Sequence, residues 1–158
     1  MSTVPKIEQS LAGIIGRIAA LIGSDRFSTG ERAALRRMAP GQPLTLAFLR
    51  FAHRHLPEHW HRSRDAIDDW VTIVAGIALM SPNAHRPDRG LGTALAESGY
   101  AESRLERLLA SRGHARRVLL LRAARFLAAK NSAFNWVESA QLLLTKDPDR
   151  QEALHRGI

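Results

Sequence analysis

The chain has 158 residues, 45% hydrophobic and 24% charged, with a net charge of +8 and no cysteine. That much apolar material can bury a core, which excludes an intrinsically disordered chain, and the missing cysteine excludes disulfides and thiolate metal sites. No stretch approaches the run of about 18 apolar residues that a membrane span needs, so the expectation is a soluble, cytoplasmic protein with no membrane contact.

Helical periodicity runs from end to end and strand signals are nearly absent, so the expected fold class is all-α. Ile7, Leu11, Ile14, Ile15, Ile18 and Ile22 recur at helical spacing and predict a first helix from about Pro5 to Gly23. Ser28 followed by Glu31 is a capping-box pattern that opens a short helix through Met38, ending before Pro40. A third helix is expected from Pro43 to Leu56. A fourth, from about Arg62 to Met80, places Ile67, Trp70, Val71, Val74, Ile77 and Ala78 on one stripe and is the best core helix of the first half.

The segment from Ser81 to Gly92, SPNAHRPDRGLG, concentrates Pro, Gly, Asn and Asp between helical stretches and reads as a linker. Two small helical bundles are therefore expected, over residues 1–82 and 90–158, joined by a Pro/Gly-containing linker at about 81–92. In the second bundle the predicted helices are Leu91 to Ser98, Glu102 to Ser111, His114 to Ala129, Trp136 to Lys146 and Asp149 to Arg156, the last one capped by Asp147.

Charge is concentrated as well as abundant. Glu102 to Lys130 holds eight basic and two acidic residues, most of the net positive charge of the chain. Of the 23 basic residues only Lys6, Lys130 and Lys146 are lysine; arginine grips phosphate with a planar, bidentate fork. Arg104 and Arg107 stand three apart on a helix whose buried stripe is Leu105, Leu108 and Leu109, and Arg122 and Arg125 repeat the spacing beside Leu119, Leu120, Ala123, Phe126 and Leu127. Arg116 and Arg117 fall in the first turn of that second helix, Arg112 just before it. Arg32, Arg36 and Arg37 form a smaller cluster in the first half. Helices charged in this way favour a polyanion, and the expected partner is nucleic acid.

Other constellations carry less. His53, His55, His59 and His61 lie within nine positions, but Pro57 interrupts the helix that would align them, and no metal or other cofactor is expected. Asp65, Asp68 and Asp69 open a helix, where the dipole alone accounts for them. No nucleophile elbow or phosphate-binding glycine loop is present, so no catalytic residues are assigned. Trp70 and Trp136 fall in core stripes, whereas Tyr100, following Gly99 at a helix start, is a candidate for stacking on a base.

The strings GERAALRR at 30–37, LGTALAESGYAESRLERLL at 91–109 and LRAARFLA at 121–128, with Trp136, the Leu142 to Leu144 triplet and Asp149-Arg150 following in order, resemble the small subunit of the type I-E CRISPR Cascade complex, the CasB family. Members of that family often carry a Trp in the first helix, where this chain has Ile and Leu. The resemblance implies an all-helical, non-catalytic subunit, present as two copies in a ribonucleoprotein and touching its backbone subunits and large subunit. It further implies sequence-independent contacts to guide RNA and to the single-stranded DNA of an R-loop, base pairing being left to read the target. The matching basic residues are Arg32, Arg36, Arg37, Arg104, Arg107, Arg122 and Arg125, with Arg112, Arg116 and Arg117 added on charge density. Two readings from other classes stand beside it: a free-standing helical DNA-binding regulator, and a metal-dependent nuclease built on Asp65, Asp68, Asp69 and the histidines.

Overall fold

The computed structural model describes residues 10–146, and these form eight α-helices with no strand. In chain order they are α1 (Leu11–Gly23), α2 (Thr29–Arg36), α3 (Leu46–His55), α4 (Arg64–Met80), α5 (Leu91–Glu97), α6 (Glu102–Ala110), α7 (Gly113–Ala129) and α8 (Trp136–Leu144). The all-α expectation holds. The helix predicted over Asp149 to Arg156, with its Asp147 cap, lies outside the described residues.

Side-chain caps set most of the helix starts. The Gly13 N–H donates to Ser10 Oγ (3.1 Å), that of Glu31 to Ser28 Oγ (3.2 Å), that of Phe48 to Thr45 Oγ1 (3.2 Å) and that of Ala66 to Ser63 Oγ (3.1 Å). Ser10 is extended and α1 begins at Leu11, the part of the predicted first helix from Pro5 onward that precedes Ser10 lying outside the described residues; Thr45 and Ser63 start α3 and α4 later than periodicity suggests. Between α3 and α4 a 3-10 turn over Glu58–His61, absent from the sequence reading, buries Trp60 with its ring edge-on to Phe48 at 5.6 Å.

Helix α4 is the centre of the molecule. Every residue from Asp68 to Ala78 is buried, because α1 and α2 pack on it along with α7 and α8. From Trp70 to Ala78 the helix is apolar except for Thr72, and a helix apolar on nearly every side must be covered on all of them. The buried residues of both halves accordingly form one continuous cluster. Gly76 lets α8 approach: a Cβ there would overlap the indole of Trp136, which is itself fully buried.

The segment 81–92 is pinned to this core. Ala84 is buried, the Arg86 N–H donates to Phe134 O (2.9 Å), the Trp136 N–H donates to His85 Nδ1 (3.1 Å), and the Leu91 N–H donates to Glu138 Oε1 (3.2 Å). The expected linker therefore runs as a strap joining the end of α4 to the start of α8.

Candidate nucleic-acid interface

Helix α5 ends in a turn that builds the site. Gly99 takes φ +85°, the Gly99 N–H donates to Ala96 O (3.2 Å) and that of Tyr100 to Leu95 O (2.9 Å), which is the paired bonding of a Schellman ending. The turn sets the Tyr100 ring against Phe126 of α7, centroids 4.9 Å apart, at the mouth of the crevice between α6 and α7. On α6, Leu108 is buried and Leu105 half-buried, which leaves Arg104 and Arg107 on the outer face. Tyr100, Arg104, Arg107, Leu119, Arg122 and Phe126 together line a groove of about 300 Å³.

Its electrostatics are one-sided. Among the described residues none of Arg104, Arg107 and Arg122 has a carboxylate within ion-pair distance. The Arg104 guanidinium lies 5.9 Å from the Tyr100 centroid and the Lys130 ammonium 5.6 Å from that of Phe126, so cations and rings share one surface. Three exposed guanidinium groups around a partly apolar floor can take up phosphates while a base meets the ring. Arg125, on the next turn of α7, is exposed, as are Arg37 and Arg112.

The remaining four candidate arginines do other work. Arg116 and Arg117, expected on the binding surface, are 2% and 3% exposed. The Arg117 Nε–H donates to Asp69 Oδ1 (2.8 Å) and its Nη2 to Asp65 Oδ1 (3.1 Å), while Lys146 Nζ donates to the other Asp69 oxygen (2.8 Å) and to Leu143 O (2.7 Å). Burial would lower the Arg117 pKa, but the hydrogen bonds and charges of Asp69 and Asp65 outweigh it and the value is raised. Arg116 donates to Leu109 O (2.8 Å) and Leu142 O (3.3 Å), and burial, reinforced by Arg112, lowers its pKa. The start of α7 is covered by α4, α6 and α8, which the helix's own pattern does not reveal. Arg32 donates to Ile22 O (2.8 Å) and Ser24 O (2.9 Å), closing the last turn of α1; Arg36 donates to Ala78 O (2.8 Å) and Ser81 Oγ (3.2 Å), closing that of α4.

The acids are accounted for in the same way. Asp68 accepts from the Gly41 N–H (3.1 Å) and from Arg64, and Asp65 and Asp69 bind Arg117; Asp65 stands in the first turn of α4, as the dipole reading expects, and Asp68 and Asp69 act as packing groups further in. Among the described residues no three His, Asp or Glu side chains converge as metal ligands. Trp70 and Trp136 are buried, as expected. Nor, among those residues, is any helix long and apolar enough to cross a membrane.

A family model, that of the CRISPR-associated protein Cse2, matches residues 31–156, from the first turn of α2 through α8 and beyond. No curated protein and no solved structure matches the chain. The match covers the helices that build the groove and most of the chain, and the chain thus belongs to the Cse2 family, the small subunits of the type I-E Cascade complex.

Proposed function

We propose that this Cascade subunit is non-catalytic and steadies the open target by holding a nucleic-acid strand in the groove between α6 and α7, with Arg104, Arg107 and Arg122 on its phosphates. The supporting observation is the set of three exposed guanidinium groups with no carboxylate partner around Tyr100 and Phe126. Arg125, exposed on the next turn of α7, adds positive charge, and Arg37 and Arg112 are exposed as well. The expected partners are guide RNA, R-loop DNA, the backbone and large subunits and a second copy of the chain. Exchange of a DNA duplex for an RNA–DNA heteroduplex is nearly balanced, so modest contacts to strand backbones tip the outcome. The acids of the nuclease reading are committed to Arg117, Lys146 and Arg64, which disfavours it.

Complexes reconstituted without this subunit should keep their guide RNA but lose the R-loop faster. Wild-type chain should restore the R-loop lifetime, and a variant with Arg104, Arg107 and Arg122 all changed to Ala should join the complex and restore it poorly. Dissociation followed by gel shift, with subunit content checked in parallel, decides the matter; equal lifetimes would rule out the groove. For the isolated chain and a single strand, three phosphate contacts should give a log–log salt slope of roughly −2 with little dependence on base sequence.

A further inference from the structure

The groove between α6 and α7 borders on a helix that cannot hold its form alone. Helix α5 has seven residues, and its N-cap is Gly90, which offers no side chain to the open N–H groups of the first turn. Glu138 of α8 supplies what Gly90 lacks. Its Oε1 accepts from the Leu91 N–H (3.2 Å), and its two oxygens stand 3.3 and 3.7 Å from where a Cβ on Gly90 would be, so the carboxylate lies across the start of α5. Among the described residues no cation stands within ion-pair distance of it.

The other end of α5 is held as well. Glu97, its last residue, meets Arg89 Nη2 at 2.8 Å, and the Asn135 N–H, just before α8, donates to Arg89 O (2.7 Å). Beyond Glu97 the chain turns at Gly99 into Tyr100, whose ring lies 4.9 Å from that of Phe126 and 5.9 Å from the Arg104 guanidinium. A line of contacts thus runs from α8 through α5 to Tyr100 and Arg104, two of the residues that line the groove.

We infer that Glu138 is a positioning residue for the groove: by capping α5 it fixes the turn that carries Tyr100 and, through that ring, the Arg104 guanidinium. The inference rests on the strand-holding role proposed above and adds to it a residue that lies outside the groove lining. Glu138 also falls in the first turn of its own helix, where a carboxylate complements the dipole. That duty needs the negative charge, whereas capping α5 needs only an acceptor oxygen, which glutamine keeps. The two duties therefore part at Glu138→Gln.

The chain has a single tyrosine, so biosynthetic meta-fluorotyrosine puts one fluorine label at Tyr100. In the full chain the fluorine resonance should move in Glu138→Ala and stay at its wild-type position in Glu138→Gln. Anisotropy titrations with short oligothymidylate should show Tyr100→Ala binding roughly tenfold more weakly, Glu138→Ala about threefold more weakly and Glu138→Gln at wild-type affinity. Adding Glu138→Ala to Tyr100→Ala should weaken binding no further, since both act through one ring. Thermal scans check that each variant is folded at the assay temperature. Should Glu138→Ala not be, the exposed change Glu97→Ala, which frees the far end of α5, is read in its place and should move the same resonance. An unmoved resonance with wild-type affinity, a Glu138→Gln variant as weak as Glu138→Ala, or full additivity with Tyr100→Ala would each overturn the inference. The proposed function stands in those cases if Arg104→Ala/Arg107→Ala/Arg122→Ala binds poorly. If that triple variant binds as wild type does, the proposed function falls and the inference falls with it.

Discussion

Five positions apart on α7, two arginines have opposite duties. Arg117 is buried against Asp69, whose side chain is 2% exposed, and Arg122 stands in the open groove. Arg117→Ala would strand the Asp69 carboxylate in the core with only Lys146 beside it, and unfolding in urea should show a loss of about 3–5 kcal/mol. Arg122→Ala should change stability by less than about 0.5 kcal/mol, alanine being as good a helix former, while weakening strand binding. In the sequence the two are indistinguishable, because both sit in a basic helix among leucines. What separates them is the Asp69 partner 48 positions earlier in the chain, which Lys146 also reaches across 77 positions, and no local pattern carries that information. The pairs at 104/107 and 122/125 were legible because helical spacing alone puts them on an outer face. Phe126, expected in the core, lines the groove and is half-buried, so Phe126→Ala should cost less than the roughly 3–5 kcal/mol of a fully buried phenylalanine and should also weaken binding.

At the level of elements, helices were legible from their apolar period and the start of α2 from its Ser28 cap, but the caps at Ser10, Thr45 and Ser63 were not read, nor was which helices touch. The contact of α4 with α8 rests on Gly76 facing Trp136. In an exposed helix Gly→Ala gains about 1 kcal/mol of propensity. Here the methyl group would displace the indole, so Gly76→Ala should destabilise by about 1–3 kcal/mol in thermal or urea unfolding, and a stabilised variant would show that the contact is loose. The strap over 81–92 adds a pH dependence. His85 accepts from the Trp136 N–H at Nδ1, and its pKa is lowered, chiefly by burial and against an opposing backbone hydrogen bond with Phe134. The native state thus holds this imidazole neutral more firmly than the unfolded chain does. Its contribution to stability is complete above about pH 6.5 and is lost as pH falls through the lowered native value. Urea midpoints at pH 7.5 and 5 should diverge in wild type and less in His85→Asn, whose amide oxygen can still accept from Trp136. His55, lowered in the same direction, should leave some of the dependence in place.

Across the whole molecule, α4 belongs to both halves, and the Pro/Gly content of 81–92 suggested a boundary because composition records where a chain turns, not what it packs against. Circular dichroism and tryptophan fluorescence should therefore report one coincident unfolding transition, and a fragment ending at residue 82 should not fold, since the face of α4 that meets α7 and α8 would be bare. Two separate transitions would instead show that the halves are independent. The groove arginines between α6 and α7 take no part in that packing, and this sets how the subunit can change over generations. If the groove holds a strand as proposed, substitutions there would adjust residence time on it while leaving the folding equilibrium alone, and drift from arginine to lysine or glutamine would retune how long the R-loop is held open. The buried Arg117 has no such freedom, since losing it costs the fold about 3–5 kcal/mol, whereas loss of Arg122 would leave a folded subunit and, on the proposed function, a lighter grip.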